Sequence, residues 1–297
     1  MLFSLPVFIV GCGDIGRRLA LRLHAEGLPV AALARSPLRQ EALEAAGITA
    51  YPGDLDEAPP LLSLPRGIET LFYLAPPPPT GSGDPRMSHA LAALQTVPRR
   101  LIYISTSGVY GDCDGAWIDE SAPVKPKSDR ARRRLAAERL VHDYAFRTGC
   151  EAIILRVPGI YGDGRLPESR IQQGLPVIDP REAPFSNRIH ADDLAEACLK
   201  ARTFGTPGQA YNITDGHPST MTDYFWQVAD HLGLPRPPAI PLAEARKVLT
   251  PAMLSFLEES KRLDNRKMRE ELGVVLSYPT LEDGLKAISS PTDLLRG

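Results

Sequence analysis

The sequence predicts an α/β fold with a parallel sheet covered by helices on both faces. Two observations carry this prediction. Apolar β-like runs alternate with helical stretches through the first half, and Pro- and Gly-rich loops follow the ends of predicted strands. The strands are VFIV (7–10), VAALA (30–34), TLFYLA (70–75), RLIYIS (100–105) and AIILRV (152–157). Between them lie the helical stretches GRRLALRLHAEG (16–27), QEALEAAG (40–47), MSHALAALQT (87–96) and KSDRARRRLAAERL (127–140). The loops PPPPTGSGDP (76–85) and GDCDGAWIDESAPVKPK (111–127) carry enough Pro and Gly to exclude regular structure. They follow C-terminal strand ends, where open α/β sheets bind ligands. After residue 164 the alternation weakens, and LGLPRPPAIP (232–241) leads into a helical segment that includes AMLSFLEESKRLDNRKMREELG (252–273). The expected division is a nucleotide-binding domain of residues 1–164 with about 186–204, and a smaller lobe of 165–185 and 205–297.

At 297 residues the chain can bury a substantial core. Charged residues make up 24% and the net charge is −2, so no global basic field favours nucleic acid. Cys12, Cys113, Cys150 and Cys198 are far apart and form no CxxC or Cys/His cluster, which argues against a metal site and fits a reducing cytoplasm. The start, MLFSLPVFIVGCGDIG, lacks a positively charged leader region and its apolar run is broken by Pro6. No segment approaches the ~18 apolar residues of a membrane span. Neither nucleic acid nor membrane is expected as a partner.

GCGDIG places Gly11, Gly13 and Gly16 between a strand and a helix, with Asp14 and Ile15 opening that helix. The first two glycines suit a tight turn and close approach to a pyrophosphate, and the third lets helix and strand pack. The second strand ends in ALARSP, where an acidic residue would favour NAD by binding the ribose. Arg35 and Ser36 stand there instead, and a guanidinium suits an adenosine 2′-phosphate. NADP is therefore the expected cofactor, with NAD as the alternative; Arg35 could instead be an exposed arginine at a strand end. GDL (53–55) follows the third strand; Asp54, beside Leu55, either reaches an adenine amino group or makes a turn.

In order, GCGDIG, GDL, STSGVYG, RVPGIYGDGR, RIHADDLAEA and YNITDG resemble the extended short-chain dehydrogenase/reductases of the epimerase/dehydratase type. The resemblance implies a Rossmann domain with a small substrate lobe, a small-molecule substrate such as a nucleotide-sugar or another anionic metabolite, and a homodimer as the assembly to test. It also extends the cofactor-binding set to Ala75, Pro76 and Pro158. Such enzymes carry a Ser or Thr, a Tyr, and a Lys four residues after the Tyr. Thr106 matches the hydroxyl residue. Counting back from Glu138 puts Arg134 at the Lys position and Arg130 at the Tyr position. None of the nine tyrosines has Lys at +4; Tyr161 has Arg165 there. This is similar to the atypical branch of the superfamily, which lacks Tyr-x-x-x-Lys.

Arginine stays protonated, so Arg130 cannot supply a proton at neutral pH. Arg134 could hold ribose hydroxyls or a phosphate, and Arg130 could clamp a substrate anion. The competing reading is an exposed basic helix face with Arg134 paired locally to Glu138. Tyr110 is an alternative proton donor near Thr106, or part of the VYG wall. His190 and Asp192 in RIHADDLA read as a helix start. Two function classes follow: an NADP-dependent oxidoreductase or epimerase/dehydratase-like enzyme, and a sensor or regulatory protein that binds NADP(H) without turnover.

Overall fold

The computed structural model describes residues 5–57, 62–249, 254 and 259–288. A seven-stranded parallel sheet forms its centre. Its strands in chain order are β1 (Leu5–Val10), β2 (Val30–Ala34), β3 (Thr49–Pro52), β4 (Ile68–Tyr73), β5 (Arg100–Thr106), β7 (Glu151–Val157) and β12 (Ala210–Asn212). The spatial order is β12-β7-β5-β4-β1-β2-β3. All five residues of VAALA are buried, as a strand covered on both faces requires. In β1 the side chains alternate between two cores. Val7 and Ile9 face helices α1 (Asp14–Ala25) and α6 (Ala191–Phe204), while Phe8 and Val10 face α3 (Pro85–Ala92) and α4 (Asp129–Thr148). The doubly wound α/β sheet is as the alternating pattern predicts, and the order in which the chain adds its parallel strands reverses between β1 and β4. A ligand-binding crevice forms at such a switch point.

After β7 the chain is built from short pairings. Strand β8 (Gly159–Tyr161) pairs with β11 (Arg188–His190), β9 (Val177–Ile178) with β14 (Ala239–Ile240), and β10 (Phe185–Ser186) with β13 (Ser219–Thr220). A separate hydrophobic cluster joins Tyr161, Ile171, Phe225, Val228, Leu281 and Leu285.

Three details differ from the sequence expectation. First, the loop 111–127 contains a strand, β6 (Trp117–Ile118), because Arg262 N donates to Ala116 O at 2.9 Å and Asp264 N to Ile118 O at 2.9 Å. Second, those bonds hold Arg262–Leu263 extended as β15 within the expected helical run of 252–273, and Arg266–Glu271 forms a separate short helix. Residues 250–253 and 255–258 lie outside the described residues. Third, β12 joins the large sheet beside β7, and Met268, Leu272 and Val274 pack into the large core, although composition assigns both segments to the smaller lobe. Long-range pairing of two- and three-residue strands leaves no periodic signal in sequence.

Candidate functional site

Six sequence-predicted segments meet at one edge of the sheet. The glycine loop follows β1, Arg35 and Ser36 follow β2, Asp54 and Leu55 follow β3, Ala75 and Pro76 follow β4, Thr106 ends β5, and Pro158 follows β7. The glycine loop has the form a diphosphate needs. Gly11 sits at φ +91, and a Cβ there would run into the backbone of Leu74 and Ala75. At Gly13 a Cβ would meet nothing within 4 Å, so the backbone is open to an incoming group. A Cβ at Gly16 would lie 3.2 Å from Cys12 Sγ, so this glycine allows α1 to pack on its own loop. The residues present therefore fit a dinucleotide, with the N–H groups opening α1 at Asp14 and Ile15 as anion donors.

At the adenosine end Arg35 is exposed and Ser36 caps α2 (Pro37–Glu44), its Oγ accepting from Arg39 N at 3.4 Å. Arg39, which sequence reading passed over, reaches back across the loop and donates from Nη2 to Cys12 O at 2.6 Å. Asp54 makes a turn, accepting from Asp56 N at 3.0 Å, and Leu55 O bonds His89 Nδ1 at 2.9 Å.

The four arginines in the first turns of α4 point in different directions. Arg132 pairs with Asp129 at 2.7 Å on the surface, and Arg130 is exposed. Arg133 is buried and donates to Gly81 O at 3.0 Å, tying the 76–85 loop to the helix. Arg134 donates from Nη1 to Ile104 O (2.8 Å), Ala75 O (3.3 Å) and Tyr103 Oη (3.4 Å). It thus spans the ends of β4 and β5 beside Thr106, and its partner is not Glu138.

Glu138 turns inward instead. Its carboxylate accepts from Ser105 Oγ at 2.5 Å and from Arg156 Nη2 at 2.9 Å, and both ionic groups are buried. Arg156 Nη1 donates to Tyr110 Oη at 3.1 Å, and the Tyr110 hydroxyl donates to Asn212 Oδ1 at 2.8 Å. Tyr110 is 1% exposed, and burial pushes its hydroxyl up to about 12. A hydroxyl so enclosed and satisfied does not fit the proton donor that the sequence raised. Thr106 is half-buried, and its Oγ1 accepts from Gly108 N at 3.2 Å.

Two further groups were given no site role from the sequence. Arg165, in the loop after β8, donates from Nε to Asp14 Oδ2 at 2.5 Å. Lys261 is buried against Glu259 (2.7 Å) and donates to Gly111 O at 2.6 Å. Both join segments far apart in sequence. His190 caps α6, Asp192 pairs with Arg18 at 3.0 Å, and Asp193 accepts from Ser277 N at 2.8 Å and Tyr278 N at 3.0 Å.

In the smaller lobe Asp215 is 2% exposed and its Oδ2 has no hydrogen-bond partner among the described residues. Burial pushes this carboxyl up to about 6, against the opposing pull of the His217 N–H and Arg188. With an unfolded value of about 4, Asp215 takes up a proton more readily in the folded state. Its contribution to stability is fully present below about pH 4 and is lost as pH rises through 6. Asp215→Asn cannot titrate, so its stability relative to the parent is expected to rise between pH 4 and 7 by up to about 3 kcal/mol. Thermal melts across that range check the sign; a flat difference contradicts it.

Among the described residues no cluster of three His, Cys, Asp or Glu could hold a metal, and no helix is long and apolar enough to cross a membrane. A protein of unknown function from Silicibacter pomeroyi DSS is 32% identical and superposes with a TM-score of 0.79, covering 96% of this chain and 98% of that one. The dTDP-glucose 4,6-dehydratase DesIV from Streptomyces venezuelae, with NAD and TYD bound, shares the fold at 21% identity and a TM-score of 0.75, covering 94% of each chain. Protein YeeZ of Escherichia coli K12 is 27% identical over 288 residues, 92% of this chain and 96% of YeeZ. Mouse dTDP-D-glucose 4,6-dehydratase is 32% identical over 130 residues, spanning 41% of this chain and 37% of that enzyme. The profile of one family matches residues 7–214, which hold the glycine cradle, Thr106, α4 and the sheet that gathers them. The chain belongs to the NAD dependent epimerase/dehydratase family.

Proposed function

We propose that this protein binds NADP and acts as an oxidoreductase or nucleoside-diphosphate-sugar epimerase/dehydratase-like enzyme on a small anionic substrate. One observation carries the reading: an open glycine cradle, flanked by Arg35 and Arg39, meets Thr106 and Arg134 at the same sheet edge. When bound, the nicotinamide supplies the hydride chemistry. The chain's own residues orient. Gly13 and the N–H groups at Asp14 and Ile15 take the diphosphate, and Ala75, Pro76, Leu55 and Pro158 wall the cofactor groove. Arg134, fixed on Ala75 O and Ile104 O through Nη1, keeps its remaining donors for ribose hydroxyls. Thr106 positions a substrate oxygen, and Arg130, exposed on the first turn of α4, takes the substrate's anionic group. The dehydratases among the relatives support a sugar-nucleotide substrate.

NADP is preferred because Arg35 after β2 and Arg39 in the first turn of α2 offer guanidinium groups for a 2′-phosphate, and no carboxylate ends β2 to bind a free ribose. Arg39→Met is expected to weaken NADPH by ~10-fold or more while changing NADH by less than ~3-fold. Fluorescence titration of both cofactors checks this. Binding of neither overturns the proposal, and tighter NADH overturns the 2′-phosphate assignment.

A second reading is favoured by the burial of Tyr110 and the arginines at both catalytic positions: a sensor or regulatory protein that binds NADP(H) without turnover. If NADPH binds, nucleotide-sugars, aldehydes and keto acids are screened for an absorbance change at the nicotinamide band, alongside Thr106→Ala and Arg134→Ala. Turnover lost in those variants supports the enzyme; silence throughout supports the sensor.

A further inference from the structure

The ion pair between Asp14 and Arg165 is badly placed for a dinucleotide site unless it opens. Asp14 is the first residue of α1, so its carboxylate stands at the helix end that receives the diphosphate. With no anion bound, the carboxylate suits that positive end. A bound diphosphate would bring about two more negative charges to the same turn, and like charges there repel. Two guanidinium groups hold the carboxylate: Arg18 Nε at 2.9 Å and Arg165 Nε at 2.5 Å. Burial alone would raise this carboxyl, but the hydrogen bonds from Arg165 and Arg18 outweigh it and keep it below the usual range.

The two arginines are not equally free to move. Arg18 lies within the helix and is anchored a second time, by Nη1 to Asp192 on α6 at 3.0 Å. Arg165 lies in the loop between β8 and α5 (Glu168–Gln172), directly after Gly162-Asp163-Gly164. Gly162 (φ +145) and Gly164 (φ +68) occupy backbone conformations that L residues rarely adopt, and a Cβ at Gly164 would meet nothing within 4 Å. Among the described residues, the side-chain hydrogen bond of Arg165 goes to Asp14 through Nε, and its two terminal nitrogens make none. The side chain retains 31% exposure. It is thus a half-exposed guanidinium on a glycine-hinged loop, one carboxylate away from the diphosphate cradle.

We infer that Arg165 is a diphosphate-binding residue that pairs with Asp14 in the free protein and transfers its guanidinium to the dinucleotide's phosphates on binding. The inference rests on the dinucleotide-binding reading above. It gives the β8–α5 loop, which borders the smaller lobe, a position that depends on cofactor occupancy. Asp14 then acts as a placeholder that keeps the guanidinium at the cradle, at the cost of competing with the ligand.

The test is calorimetric titration with NADPH, ADP-ribose and 2′,5′-ADP, the last of which lacks the diphosphate. Arg165→Met is expected to weaken NADPH and ADP-ribose by ~10-fold or more and 2′,5′-ADP by less than ~3-fold. Asp14→Asn removes the competitor and is expected to leave ADP-ribose binding equal or up to ~5-fold tighter. A structural salt bridge predicts something else: both variants lose affinity together and melt lower together, and that result overturns the inference. Unchanged ADP-ribose affinity in Arg165→Met also overturns it. Arg165→Lys, which keeps the charge and loses the fork, should fall between parent and Met if the contact is made to phosphate. ADP-ribose separates the two readings: if the parent binds ADP-ribose but neither NADPH nor NADH, the nicotinamide reading fails while Arg165 is still tested. A parent that binds none of these ligands overturns both.

Discussion

Glu138→Ala is expected to destabilise the protein by about 3–5 kcal/mol, because it leaves the buried Arg156 cation without its counter-ion. Arg156 is 8% exposed and Glu138 2%, so little water reaches either. Once Glu138 is gone, Arg156 keeps the Tyr110 hydroxyl at 3.1 Å and the Tyr110 ring, whose centroid lies 4.9 Å from its guanidinium carbon. Those contacts cannot replace a two-pronged carboxylate. Urea denaturation at pH 7 reads the loss. Replacing both partners with apolar residues, Glu138→Leu with Arg156→Met, is expected to restore most of it, since the penalty lies in the unpaired charge rather than in the absent bond. A loss below about 1 kcal/mol in the single variant would mean that water or a rearranged side chain neutralises Arg156, and the buried network would not hold β5, α4 and β7 together as described.

Gly11→Val and Gly13→Val should separate fold from function at the same loop. Gly11 holds φ +91, and a Cβ there meets Leu74 C at 2.8 Å, with the Ala75 backbone closer still. Neither neighbour can move without shifting the end of β4, so Gly11→Val is expected to cost about 3 kcal/mol or more and to abolish dinucleotide binding. Gly13 is the opposite case. Its added side chain enters open space, so Gly13→Val should melt within a few degrees of the parent. It should still bind NADPH ~100-fold more weakly or not at all, because the side chain occupies the approach to the backbone. Normal NADPH binding by Gly13→Val would remove the cradle from the cofactor site. A loss of stability equal to that of Gly11→Val would show that the open space is filled by protein.

Much of this architecture is legible residue by residue. GCGDIG, followed by a basic amphipathic helix, announces a strand, a turn and an anion-binding helix end, because few other uses need three glycines at that spacing. The absence of Tyr-x-x-x-Lys can also be read directly, and counting back from Glu138 picks out Arg134, whose guanidinium lies across the ends of β4 and β5. The same spacing says nothing about which way Glu138 turns. A helical pair four residues apart looks like Arg134 with Glu138, yet the packing of β7 brings Arg156 to Glu138 and exchanges the partners. Tyr110 went the same way. Its proximity to Thr106 in sequence suggested a catalytic hydroxyl, and only the arrival of β12 with Asn212 closed it off.

By itself, then, the sequence determined the doubly wound sheet, the glycine cradle and the absence of Tyr-x-x-x-Lys, because each depends on local periodicity or on fixed short spacing. Tertiary structure decided the partners: Glu138 with Arg156, Arg39 with the Cys12 carbonyl, Asp14 with Arg165, and the return of β12 and β15 to distant strands. These contacts join residues 18 to 151 positions apart, or strands of two or three residues. Their energy comes from burial and charge pairing across elements, which depend on how the elements pack and leave no periodic trace along the chain.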